Sequence, residues 1–86
     1  MTDDIDKKLL ERIKHLGAGS YEDVRMLDDG TIVGIGNLIF TRAIYMDMHG
    51  IGWGRRFCFE DRALADQEYQ RITSGDDEPT GWIARR

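Results

Sequence analysis

The chain has 86 residues, which fits one domain and no more, so residues 1–86 read as a single α+β domain. Apolar residues make up 41% and charged residues 33%, a globular balance that excludes a disordered chain. The net charge of −4 weighs against direct nucleic-acid binding, which is mostly phosphate neutralisation by Lys and Arg.

Residues 3–16 carry Ile5, Leu9, Ile13 and Leu16 on one helical stripe, which Leu10 widens. Thr2 or Asp3 suits the cap, and Asp3, Asp4 and Asp6 suit the positive end of the helix dipole. Gly17 and Gly19 supply the stop. A short strand over 22–27 carries Val24 and Met26 into the hairpin turn Asp28-Asp29-Gly30. Thr31 to Phe40, rich in Ile and Val, predicts the next strand. Gly34 and Gly36 share a face there that lets another backbone or a helix come close, or hosts a bulge, and Asn37 suits a second bend. Thr41 to Met48 alternates, placing Ile44, Met46 and Met48 on one side and Ala43, Tyr45 and Asp47 on the other.

A glycine-punctuated loop, residues 49–54, precedes a strand from Arg55 to Glu60 in which Phe57 and Phe59 share one face and Arg56 and Cys58 the other. Asp61 caps a second helix, 62–73, with an apolar stripe of Leu64, Ala65, Tyr69 and Ile72; Gly75 is its expected stop. Residues 81–86 suit a short edge strand with Trp82 and Ile83. The order α-β-β-β-β-α-β implies a mostly antiparallel sheet of four to five strands with the helices against one face.

Chemistry motifs are sparse. Cys58, His15 and His49 fall short of the four N/S ligands of structural zinc, and Asp76-Asp77-Glu78 lacks the alternating ligands of a calcium loop. Gly34-x-Gly36 and Gly50-x-Gly52-x-Gly54 do not stand between a strand and a helix as a nucleotide loop must. No cofactor is expected, and the reading is a non-enzymatic protein. Cys58 has no partner for an intrachain disulfide, which fits a reducing compartment. No secretory leader and no run of ~20 apolar residues is visible, so a cytoplasmic protein with no membrane partner is expected.

Trp, Tyr and Arg are enriched at interfaces, which makes Tyr21, Tyr45, Trp53, Arg55, Arg56 and Trp82 the candidate protein-binding residues. Two alternatives stand beside this. A nucleic-acid-associated module would use Trp53 with Arg55, Arg56, Arg85 and Arg86, and a small enzyme would centre on Cys58 and His49. A thin core also suits a homodimer, through the Gly-lined strand Thr31–Phe40 or an uncovered edge strand.

The stretch Asp28–Glu60, with Gly34-Ile35-Gly36-Asn37-Leu38-Ile39-Phe40-Thr41 and Arg56-Phe57-Cys58-Phe59-Glu60, resembles small uncharacterised proteins of proteobacterial phages, prophages and plasmids, as does the tail Ser74–Arg85. The resemblance carries no assigned residue. It implies a protein of a bacterial host cell's cytoplasm that binds and blocks a host protein complex, as anti-CRISPR inhibitors block a CRISPR effector. Such targets bind nucleic acid and are basic, so the carboxylates Asp3, Asp4, Asp6, Asp76, Asp77 and Glu78 would face them.

Overall fold

The structure is a computed structural model that describes residues 2–16, 21–49 and 52–85; the side chains of residues 2–7, 16 and 85 lie outside that description. The periodicities of the chain become two helices, α1 (Thr2–Leu16) and α2 (Arg62–Arg71). The strands are β1 (Asp23–Met26), β2 (Ile32–Asn37), β3 (Arg42–Met46), β4 (Arg55–Phe59) and β5 (Ala84–Arg85). All five strands form one open antiparallel sheet in the order β1-β2-β3-β4-β5. The chain is therefore the α+β domain expected from its pattern. The glycine stop at Gly17 and Gly19 and the glycine at position 50 lie outside the described residues.

The helices do not share a face. Val33, Ile35, Ile44, Met46, Phe57 and Phe59 point to one side of the sheet, where Ala65, Tyr69 and Ile72 of α2 cover them. Val24, Ile32, Ala43, Tyr45 and Cys58 point to the other, where Ile13 packs with Leu9 and Leu10 of α1. Both faces of the sheet carry apolar side chains, and two separate stripes are needed to bury them. That requirement overturns the expectation of a one-sided arrangement.

Local chemistry explains the boundaries. Gly30 takes φ 87° in the β1–β2 turn, where its amide donates to the Leu27 carbonyl at 2.9 Å. At Gly34 a side chain has no room, because an added Cβ would lie 2.8 Å from the Met48 sulfur and 3.2 Å from the Asp23 carbonyl. Met48 reaches that spot because Asp47 adopts φ 57°, which breaks the alternation of β3. Met48 thus joins Ala43 and Tyr45, not Ile44 and Met46 as the alternation predicts. β2 lies between β1 and β3, so the expected dimer route through this strand is closed; the edges are β1 and β5.

α2 begins as expected, with Asp61 Oδ1 accepting from the amides of Ala63 and Leu64 at 3.0 and 3.1 Å. It ends earlier than Gly75, at Ile72, because the chain turns extended there and Arg25 of β1 donates to the carbonyls of Tyr69 (2.6 Å) and Ile72 (2.8 Å). A guanidinium from a neighbouring strand thus satisfies the orphan carbonyls of the helix terminus. Gly75 instead bonds to the sheet: its amide donates to Asp29 and its carbonyl accepts from Arg55.

The return from α2 to β5 is pinned by a buried carboxylate. Glu68 accepts from Arg71 and from both the amide and the hydroxyl of Thr80. The Arg71 guanidinium, followed by the Thr80 amide, holds the Glu68 carboxyl down at about 2, against an ordinary 4.5. A carboxyl lowered by folding adds stability that is fully present above its unfolded value and is lost as pH falls through its folded value. The stability contributed by Glu68 should therefore fade between pH 4.5 and about 2. Glu68→Gln should cost about 1–2 kcal/mol at neutral pH and flatten that acid limb, as urea unfolding across a pH series will show.

Candidate functional site

The candidate interface residues of the sequence divide between two sides of the sheet. On the α1 side, Tyr21 meets Tyr45 edge to face at 5.0 Å, Tyr45 meets Trp53 at 5.8 Å, and the Arg56 guanidinium lies 5.0 Å over the Trp53 ring. This ladder buries Tyr45 and half-buries the other three, so most of its surface serves packing. On the α2 side, Arg55 is bound to Asp47 at 2.7 Å and to the Gly75 carbonyl at 2.8 Å. Trp82 packs against Phe57 with centroids 5.8 Å apart. The six residues do not form one surface.

The acidic candidates also separate. The side chains of Asp3, Asp4 and Asp6 lie outside the described ones. Asp77 turns inward on its own loop, accepting from Thr73 and Ser74. The Glu78 carbonyl accepts from Arg71, while Asp76 stands exposed beside them. These groups belong to the end of the sheet where Gly75 meets Arg55.

The surface that stands out lies at the opposite end. β2 stops at Asn37, not Phe40, because the chain turns over Ile39 and Phe40, with the Leu38 amide donating to the Thr41 carbonyl at 2.8 Å. The turn has no Gly, Pro, Asn or Asp at its centre; the bend expected at Asn37 and the break between Phe40 and Thr41 are what the sequence offers. Ile39 is 85% exposed and Phe40 86%. The other large apolar side chains exposed among the described residues are Trp82 and Ile83, at 38% and 59%.

The register brings these four together at one end. Arg42 pairs with Phe59, and Ala84 with Cys58, so Trp82 and Ile83 run beside the Phe59–Glu60 end of β4. The Ile83 amide donates to the Cys58 carbonyl at 2.8 Å and seats that segment. The hairpin tip, which joins β2 to β3, and the start of β5 are thus two to three strand spacings apart, about 10–14 Å.

Arg42 builds the base of the tip. It is 6% exposed, and its guanidinium donates to Glu22 (2.7 Å), to Asp66 on α2 (2.7 Å) and to the Asn37 side chain (2.9 Å). The carboxylates of Glu22 and Asp66 raise the Arg42 pKa, and the same guanidinium lowers that of Glu22. Glu22 and Asp66 remain open to water, as do Glu60 and Asp61 at the end of β4. Among the described side chains, four exposed carboxylates therefore border the apolar groups, with the exposed cation Arg62 beside them and Lys14 on the α1 side of Glu22.

The catalytic alternative has no assembled geometry among the described residues. Cys58 is buried between Ala43 and Ala84 in the sheet, while His49 stands beyond the far end of β3. No group of three or more His, Cys, Asp or Glu among the described residues is placed to hold a metal ion, and no helix there is long and apolar enough to cross a membrane. Family models, curated proteins and solved structures were all compared with the chain, and none matches it.

Arg42→Met should lower unfolding free energy by about 1–3 kcal/mol, since the guanidinium is buried while its partners can rehydrate. Ile39→Ser/Phe40→Ser should change it by less than about 0.5 kcal/mol, because neither side chain packs on the core. Chemical denaturation of both variants separates the structural base from the spare tip. Cys58 should resist iodoacetamide until denaturant opens the sheet, as mass spectrometry of the native and unfolded chain will show.

Proposed function

We propose that this chain is a non-enzymatic protein-binding protein that acts by occupying the surface of a larger, basic complex. The observation that carries the reading is the exposed pair Ile39 and Phe40 at the tip of a hairpin whose base is tied down by Arg42. Burying two such side chains against a partner is worth about 1.5–3 kcal/mol each, and here folding leaves that unused. Single exposed apolar residues are ordinary; four at one end of a small sheet support the reading of an interaction surface.

The carboxylates around the tip support a basic partner, because opposite charge steers the encounter. The resemblance to phage and plasmid proteins supports a target that handles nucleic acid in a bacterial host, a CRISPR effector being the model case, and blockade as the outcome. Direct binding to nucleic acid is the weaker reading, since Arg55 is engaged with Asp47 and Arg56 lies over Trp53.

The test is photo-crosslinking with benzoylphenylalanine in place of Phe40, in cells that carry the chain. The expected product is a covalent adduct with a basic, nucleic-acid-handling protein, and Ile39→Ser/Phe40→Ser should cut recovery of that protein at least tenfold. Undiminished recovery by the double variant would remove the tip from the interaction.

A further inference from the structure

We infer that the two exposed apolar groups at this end of the sheet, the Ile39–Phe40 tip and the Trp82–Ile83 segment, form one docking surface for a cationic protein face that carries apolar side chains between its lysines or arginines. This rests on the reading of the chain as a protein-binding protein and goes further in naming what the partner must present.

Geometry supports a single surface. The two groups emerge from strands β3 and β5 at the same end, separated only by the end of β4, where Glu60 and Asp61 stand exposed. One partner element about 10 Å wide, the diameter of a helix with its side chains, can rest on both at once. The carboxylates lie where that element would pass: Glu60 and Asp61 between the apolar groups, Glu22 and Asp66 at the base of the tip. An apolar element with cations at its margins satisfies both parts of this surface. A partner with an acidic margin would meet like charge.

The platform is held from three sides. Arg42 fixes the tip to β1 and α2. The Glu68 carboxylate holds Thr80, two residues before Trp82. At Gly81 the backbone takes φ 85° and passes so close to Leu64 of α2 that an added Cβ would lie 2.6 Å from its Cδ2. Ordering before contact lowers the entropic cost of docking.

A second copy of this chain fits less well, since it would bring the same carboxylates against themselves. A lipid surface, zwitterionic or anionic, offers no net positive charge to match them.

The defining experiment uses the wild-type chain, labelled with nitrogen-15, and two synthetic 18-residue amphipathic peptides, one of leucine and lysine, the other of leucine and glutamate. The leucine–lysine peptide should shift the amides of Ile39, Phe40, Trp82 and Ile83 together, with one apparent affinity, and the leucine–glutamate peptide should not. Glu60→Lys should weaken the first peptide about fivefold, as expected of a charge beside the contact. Shifts confined to the tip, equal shifts from both peptides, or none at this end would overturn the shared surface. So would light scattering that shows a dimer dispersed by Ile39→Ser/Phe40→Ser, or binding to neutral phosphatidylcholine vesicles tighter than to the leucine–lysine peptide. The outcome is separable from the crosslinking result: a tip that captures its partner while Trp82 and Ile83 stay silent keeps the functional reading and removes this one.

Discussion

Helix α2 is held to the sheet by three arginines, one from each of three strands, and the architecture depends on that attachment. Arg25 of β1 closes the C-terminus of the helix, Arg42 of β3 binds Asp66 near its start, and Arg55 of β4 holds the loop that follows it. A helix of ten residues is too short to persist alone in water. Burial of Ala65, Tyr69 and Ile72 supplies most of the stabilisation, but apolar contact does not specify one orientation. Guanidinium groups donate along fixed directions, so they select the register in which this stripe meets the sheet. Asp23 adds to the same clamp by accepting from the Tyr69 hydroxyl at 2.7 Å.

These arginines shape where a partner can act. With α2 on one face of the sheet and α1 on the other, each face is at least partly covered by a helix. The two ends and the β1 and β5 edges remain. The end near Asp47 and Gly75 is filled by its own hydrogen bonds among Arg55, Asp29 and Thr31. The end near Arg42 satisfies its polar groups at the base and leaves apolar side chains above them. A protein of this size gains stability from each apolar group it can bury, so leaving Ile39 and Phe40 in water is a feature that folding does not require.

Much of the fold was legible in the chain. The helix stripe at Leu9 and Ile13, the Asp-Gly turn before β2, the paired Phe57 and Phe59 and the Asp61 cap all depend on local spacing, and each appears in the structure as the spacing predicts. The tip was legible only in part. A break between Phe40 and Thr41 was expected, but Leu38-Ile39-Phe40 has strand-forming residues, so local preference carries β2 three residues past its end at Asn37. Met48 fails for a related reason: one left-handed residue, Asp47, reverses the alternation that a period of two assumes. The aromatic and arginine candidates are divided between two sides of the sheet. Adjacent positions such as Arg55 and Arg56 point to opposite faces of a strand, so neighbours in sequence part company in space.

By itself the sequence determined the kind of domain and the number and order of its elements, because these follow from turn chemistry and from periods of two and 3.6 along the backbone. Only the tertiary structure decided that the helices take opposite faces, that Arg25, Arg42 and Arg55 are structural ties and that the large apolar side chains exposed among the described residues gather at one end. Those outcomes depend on pairing between residues 20 to 47 positions apart, and hydrogen bonds at that range leave no pattern in a single chain.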